Sequence, residues 1–183
     1  LPVNVRGMWI GTFHGLCNRF LRAHWKLAGL PQSFQILDSA DSVSAVKRVI
    51  KGMNLDEERF VPKQVARFIA ASKDEGLRPK HLKDDGDATR RQMIRLYEAY
   101  EEACKRNGVV DFAELLLRSH ELWKDAPGLV EHYRARFGHV LVDEFQDTNT
   151  IQYNWMKSLV GSTSLPFVVG DDDQSIYRWR GAR

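Results

Sequence analysis

Two short stretches carry side chains whose types and order suit phosphate and nucleic-acid chemistry. The first is Val140-Leu141-Val142-Asp143-Glu144-Phe145-Gln146-Asp147, an apolar run that ends in acids. Carboxylates at the C-terminal end of a buried parallel strand stand where open α/β sheets bind their ligands. Neighbouring strand residues point to opposite faces, so Asp143 and Glu144 serve one site only if the chain bends there. A Mg²⁺ ion with a nucleotide's phosphates would use such a pair: one carboxylate holds the metal or its water, and the next orients and deprotonates the attacking water. Taken alone, the octapeptide reads equally well as a solvated strand end. The second stretch runs from Val168 through Gly170, Asp171, Asp172, Asp173 and Gln174 to Tyr177-Arg178-Trp179-Arg180-Gly181-Ala182. It begins where another apolar run ends, which would bring both acidic clusters to one rim of a sheet. If residues 177–180 are extended, Tyr177 and Trp179 share one face and Arg178 and Arg180 the other. That suits bases stacked beside a phosphate track, at roughly 1–3 kcal/mol per stacked base. An aromatic pair filling a domain interface is the competing account.

Such residues need strands behind them. Val140-Leu141-Val142 and Phe167-Val168-Val169 are short unbroken apolar runs, the pattern of parallel strands covered on both faces. Between them Ile151, Trp155 and Leu159 recur at helical spacing, giving a βαβ unit. At the other end, residues 5–13 read as a strand running into Gly11-Thr12. Thr12 would cap a helix whose stripe Phe13, Leu16, Cys17, Phe20, Leu21 and Leu27 reaches Gly29. The intervening stretch reads as helices. One starts near Ser39, with Val43, Val46, Ile50 and Met53 on one face; another starts near Pro62, with Val65, Phe68 and Ile69, and closes at Gly76. Asp87, in the acidic group with Asp84 and Asp85, caps a longer helix striped by Met93, Tyr97, Tyr100 and Cys104, which ends at Asn107-Gly108 in a left-handed cap. Asp111 with Glu114 forms a capping-box-like start for Phe112, Leu115, Leu116 and Leu122, and Pro127 opens a further helix.

Composition narrows the class. With 183 residues, 43% of them hydrophobic, the chain can bury one sizeable core, or a core and a smaller helical lobe. A net charge of +3 permits nucleic-acid binding without requiring it, and the basic excess sits at the start, where Arg6, Arg19, Arg22 and Lys26 precede the first acid, Asp38. Two cysteines, Cys17 and Cys104, argue against a disulfide framework and fit a reducing, cytoplasmic setting. No apolar run reaches the roughly 18 residues of a bilayer span, and no secretion signal is recognisable, so no membrane partner is expected. His14 and Cys17 lie three apart, but no third and fourth metal ligand has suitable spacing.

The run Val142 to Asn149 resembles motif II of the UvrD/Rep/PcrA-type superfamily I DNA helicases, and Gly170 to Ala182 resembles their motif III. Gly11-Thr12-Phe13-His14, followed by an amphipathic helix with arginines, is similar to the family motif that contacts single-stranded DNA. The three occur in family order, and the helical stretch between them matches the inserted 1B subdomain. The fold implied is α/β: an incomplete RecA-like P-loop NTPase motor domain with parallel strands, interrupted by a mainly α-helical subdomain. Residues 1–15 would belong to domain 1A, 16–110 to subdomain 1B and 111–183 to domain 1A again, with both ends cut from a longer chain.

The resemblance also implies roles. Asp143 would bind Mg²⁺ through water and Glu144 would be the general base beside it. Gln174 would contact the γ-phosphate of ATP, linking nucleotide state to Tyr177, Trp179 and Arg180 on the DNA. Thr12, Phe13 and His14 would lie on the DNA side, and Asp111-Phe112 matches a further family position near the junction of the subdomains. Arg178 departs from the commonest family form, which has glycine there. The implied activity is ATP-driven 3′-to-5′ translocation on single-stranded DNA and unwinding at single/double-strand junctions, with repair proteins as possible partners. A phosphate-binding loop of the form G-x-x-x-x-G-K-[ST] does not occur in these residues. In the family it lies upstream, so the 183 residues alone are expected to be inactive. The alternative is a non-catalytic module that binds single strands or a repair protein. A metal nuclease built on Asp143, Glu144 and Asp147 would leave Gln174 and the aromatic pair unexplained.

Overall fold

The computed structural model describes residues 10–136, 141–142 and 168–169. In chain order the elements are β1 (Ile10–Gly11), α1 (Phe13–Ala23), β2 (Gln35–Leu37), α2 (Ser39–Gly52), α3 (Pro62–Asp74), α4 (Ala88–Asn107), β3 (Val109–Asp111), α5 (Phe112–Asp125), α6 (Pro127–Arg136), β4 (Leu141–Val142) and β5 (Val168–Val169), with a 3₁₀ turn at Pro79–His81 ahead of α4. The chain divides into two compact units: Leu1–Ala28 with Arg118–Arg183, and Gly29–Leu117. Among the described residues no helix is long and apolar enough to cross a membrane.

The first unit contains a parallel sheet in the order β1-β4-β5, with Ile10 opposite Leu141 and Leu141 opposite Val168. Beside it α1 buries Phe13, Leu16, Cys17, Phe20 and Leu21. Phe20 meets Trp123 of α5 edge to face, with ring centroids 5.1 Å apart, a geometry that aromatic quadrupoles favour. The apolar stripe expected to run on to Leu27 stops earlier. Helix α1 ends at Ala23 with His24 as its C-cap, and Leu27 is 66% exposed. Of the strand expected over residues 5–13, Ile10 and Gly11 are seen as strand, and residues 5–9 lie outside the described residues.

The second unit is mainly helical. Its core gathers Val46 and Ile50 of α2, Val65 and Ile69 of α3, and Leu96, Tyr97 and Tyr100 of α4, together with Phe60. The caps fall where turn and cap chemistry puts them. The Asp38 carboxylate accepts from Asp41 N at 2.7 Å, Pro62 opens α3, and Asp87 accepts from Thr89 N and Arg90 N. Gly108 ends α4 at φ 63, and a Cβ there would lie 3.2 Å from Pro31 Cγ. Two strands, β2 and β3, go beyond what the sequence pattern predicts. β2 and β3 pair in parallel with Gln35 opposite Val109 and Leu37 opposite Asp111, which brings the residue before the α2 cap beside the start of α5.

Candidate nucleic-acid interface

The three strands of the first unit run in the same direction and end level, since Gly11 is paired with Val142 and Val142 with Val169. Each is followed in sequence by one of the motifs singled out above. After β1 comes Thr12, whose backbone is extended and whose hydroxyl accepts from Gly15 N at 3.0 Å, capping α1. Phe13 is 2% exposed and begins the buried face of that helix, whereas His14 is half-buried. The exposed side of α1 carries Arg19 and Arg22, the latter donating to Asn18 at 3.1 Å. Asp143 and Glu144 directly follow β4, and Gln174 comes shortly after β5 in sequence. These three, with Tyr177, Trp179 and Arg180, lie outside the described residues.

A second candidate surface lies in the other unit. Phe112, the first residue of α5 and counted from sequence with its apolar stripe, is 43% exposed. It borders a cavity of about 370 Å³ whose lining includes Ser39, Ser42, Lys63, Arg67 and Tyr100. Lys63 and Arg67 are exposed, one turn apart on α3. An open ring beside two cations and two hydroxyls is the combination that accommodates a stacked base and its phosphate. A larger hollow of about 870 Å³ between α2 and α4 is lined mostly by apolar atoms, with Arg48, Glu102 and Arg106 at it but no aromatic ring on which a base could stack. The Phe112 surface could have been suspected from sequence, because a side chain just after a helix cap often faces solvent.

Directly behind Phe112 is a buried ionic cluster that periodicity could not reveal. Lys73, at the end of α3, is 2% exposed; Asp111 and Glu114 are 8% and 5% exposed. The Lys73 ammonium donates to both Asp111 oxygens, at 3.2 and 3.1 Å, and lies 3.0 Å from Glu114 Oε1. Tyr100 Oη donates to Asp111 Oδ2 at 2.7 Å, and Glu114 N to Asp111 Oδ1 at 2.7 Å, so the capping position expected of Asp111 is occupied. Arg78 grips Glu114 with both terminal nitrogens, at 2.8 and 2.9 Å, and reaches Glu101 at 3.0 Å. Burial pushes the Lys73 ammonium toward the neutral form, but the charges of Glu114 and Asp111 outweigh it and hold the group above the ordinary lysine value. Burial and the adjacent Asp111 raise Tyr100, so its hydroxyl stays a donor.

Residues 2–183 match the family described as UvrD/REP helicase N-terminal domain. The chain belongs to this UvrD/REP helicase family. Its fold is the RecA-like helicase motor fold, α/β with parallel strands and a large helical part. Among relatives, it is 58% identical over 177 residues to DNA helicase II of Escherichia coli (strain K12), a match that takes in 97% of this chain and 25% of that protein. It is 54% identical over 177 residues to DNA helicase II of Haemophilus influenzae, covering 97% of this chain and 24% of the relative. Against the ATP-dependent DNA helicase PcrA of Bacillus subtilis (strain 168) the identity is 37% over 176 residues, or 96% of this UvrD/REP chain and 24% of the relative. The chain thus spans about a quarter of the length of the curated relatives it matches.

Proposed function

We propose that this chain is part of an ATP-dependent 3′-to-5′ DNA helicase and translocase. It supplies a helical 1B subdomain and parts of domain 1A, and by itself it does not turn over ATP. The observation that supports this most is the parallel register in which β1, β4 and β5 end level at Gly11, Val142 and Val169, each leading in sequence into one of three motifs. In such sheets ligands bind off the C-terminal strand ends. One edge would then serve both the nucleotide and the DNA.

The residues fit Mg²⁺ and ATP in part. Asp143 and Glu144 offer the hard oxygen donors that Mg²⁺ takes, next after a strand of a parallel sheet. When bound, the ion supplies charge neutralisation at the phosphates. Asp143 would hold the ion through water, Glu144 would take the proton of the attacking water, and Gln174 would meet the γ-phosphate. The phosphate-binding loop is not among these 183 residues, so without the rest of the protein the triphosphate is not cradled for attack.

On the DNA side, Tyr177, Trp179 and Arg180 hold stacked bases and a phosphate. Thr12 and His14 approach the strand from the start of α1, while buried Phe13 supports them from the core. Phe112, with Lys63 and Arg67, adds a further stacking position. The substrates are single-stranded DNA and its junctions with duplex, and repair proteins are candidate partners. Titrating the full-length protein with oligo-dT tests the DNA side. Tryptophan fluorescence should be quenched, affinity should fall steeply as salt rises, and most of the quench should vanish in Trp179→Phe. An unchanged response in that variant removes the stacking role.

A further inference from the structure

The hollow of about 870 Å³ between α2 and α4 serves none of the roles proposed above. Its lining is apolar where Leu37 of β2, Val109 of β3, Val49, Met53, Ala103 and Cys104 face it. Its rim carries Arg48, Glu102 and Arg106, all three exposed. Among the described residues neither arginine is in an ion pair.

Gly52, in the last turn of α2, also lines this space. Glycine in a helix weakens it relative to alanine, and a left-handed backbone or a close neighbour is the usual reason to keep one. Neither reason holds at Gly52. The left-handed position after α2 falls to Asn54, at φ 56, and a Cβ built at Gly52 meets nothing within 4 Å. A side chain there would strengthen the helix and take up room in the hollow. Glycine leaves that room to an occupant.

Apolar atoms inside and cations at the rim define what that occupant must be. Ala45 to Met53 and Ala99 to Asn107 each extend about 12 Å at roughly 1.5 Å per residue. That is the length of two helical turns, which carry apolar anchors at i, i+3 or i+4, and i+7. Against the one acid Glu102, Arg48 and Arg106 are joined by Lys51 and Lys105 in the last turns of α2 and α4, a balance that favours carboxylates flanking those anchors. A nucleic-acid strand would use the cations and leave the apolar lining unused, because no ring is there for a base to stack on.

We infer that the hollow between α2 and α4 is a docking groove for an acidic amphipathic helix of a partner protein, whose apolar side chains enter it while its carboxylates meet Arg48 and Arg106. Such docking needs neither the nucleotide nor the DNA strand, so it stands apart from the motor reading.

Fluorescence anisotropy of a synthetic peptide on the full-length protein tests this. The probe is a fluorescein-labelled helix of about three turns, with leucines along one stripe and glutamates on both flanks. A control probe has lysines in place of the glutamates. The glutamate probe should bind at least about 10-fold more tightly than the lysine probe. Gly52→Leu should fill the hollow and weaken the glutamate probe by about 10-fold or more, while the melting temperature holds or rises. Arg48→Glu combined with Arg106→Glu should reverse the preference between the probes. That pair decides should Gly52→Leu fail to fold, because both side chains are exposed. Equal binding of the two probes, or binding that Gly52→Leu leaves intact, overturns the groove. Displacement of the probe by oligo-dT or a DNA duplex overturns it too, and assigns the rim to nucleic acid. Failure of the glutamate probe to bind does the same, and shows a hollow covered by the rest of the protein or without such a partner. Each of these results leaves the motor reading standing.

Discussion

Asp74 shows how the buried cluster spreads its charge to a neighbour. Burial, and then the nearby carboxylates of Asp111 and Glu75, push its pKa up to about 6 from 3.8. A carboxyl whose folded value is raised favours the folded state while protonated. That contribution is complete below about pH 4 and is lost as pH rises through about 6. Asp74→Asn should therefore flatten the pH dependence of stability across this window. It should gain about 1 kcal/mol at pH 7, after allowance for the solvent screening of a half-exposed group. Denaturant titrations at pH 4.5 and 7.5 check this, and a variant less stable than the parent at pH 7.5 contradicts it. No pattern in the sequence marks Lys73 as buried. It stands in the last turn of a helix, where a lysine ordinarily faces water and favours the dipole. Its burial depends on acids 38 and 41 positions away, Asp111 and Glu114, and such separations are invisible to local spacing.

Caps and strand pairs divide sharply in how legible they are. Asp87, Asp111 and Gly108 act through backbone atoms within a few residues of themselves, so their roles can be read from sequence. Strands β2 and β3 have three residues each, and each finds its hydrogen-bond partners in the other, far along the chain. Neither shows alternation long enough to recognise. Helical spacing groups Phe112 with Leu115, Leu116 and Leu122 but does not tell which end of the stripe the neighbours cover, and Phe112 is 43% exposed. At Gly108 both the left-handed backbone and the nearby Pro31 oppose a side chain. Gly108→Ala should cost about 1–2 kcal/mol and lower the melting temperature. Because β3 and α5 begin directly after this turn, hydrogen exchange at the Gln35 and Val110 amides should speed up as well. An unchanged melting temperature would show that the turn tolerates a Cβ.

For the molecule as a whole, two compact units are threaded by one chain that leaves the first at Ala28 and returns to it at Arg118. The apolar runs at 140–142 and 167–169 announced two strands of the first unit, and β4 and β5 lie within them as a parallel pair. The resemblance to the helicase family rests on three motifs in family order with a helical stretch between them, and the match over residues 2–183 shows the family. Roles at Asp143, Glu144 and Gln174 are what the family resemblance implies, and these residues fall outside the described ones. The most direct test is steady-state phosphate release in the presence of oligo-dT, comparing the full-length protein, its Glu144→Gln variant and the 183-residue chain alone. The account predicts DNA-stimulated turnover in the first, a fall of roughly 10²- to 10⁴-fold in the second from loss of the general base, and background release in the third. Turnover that survives Glu144→Gln, or that the 183-residue chain sustains unaided, would contradict it.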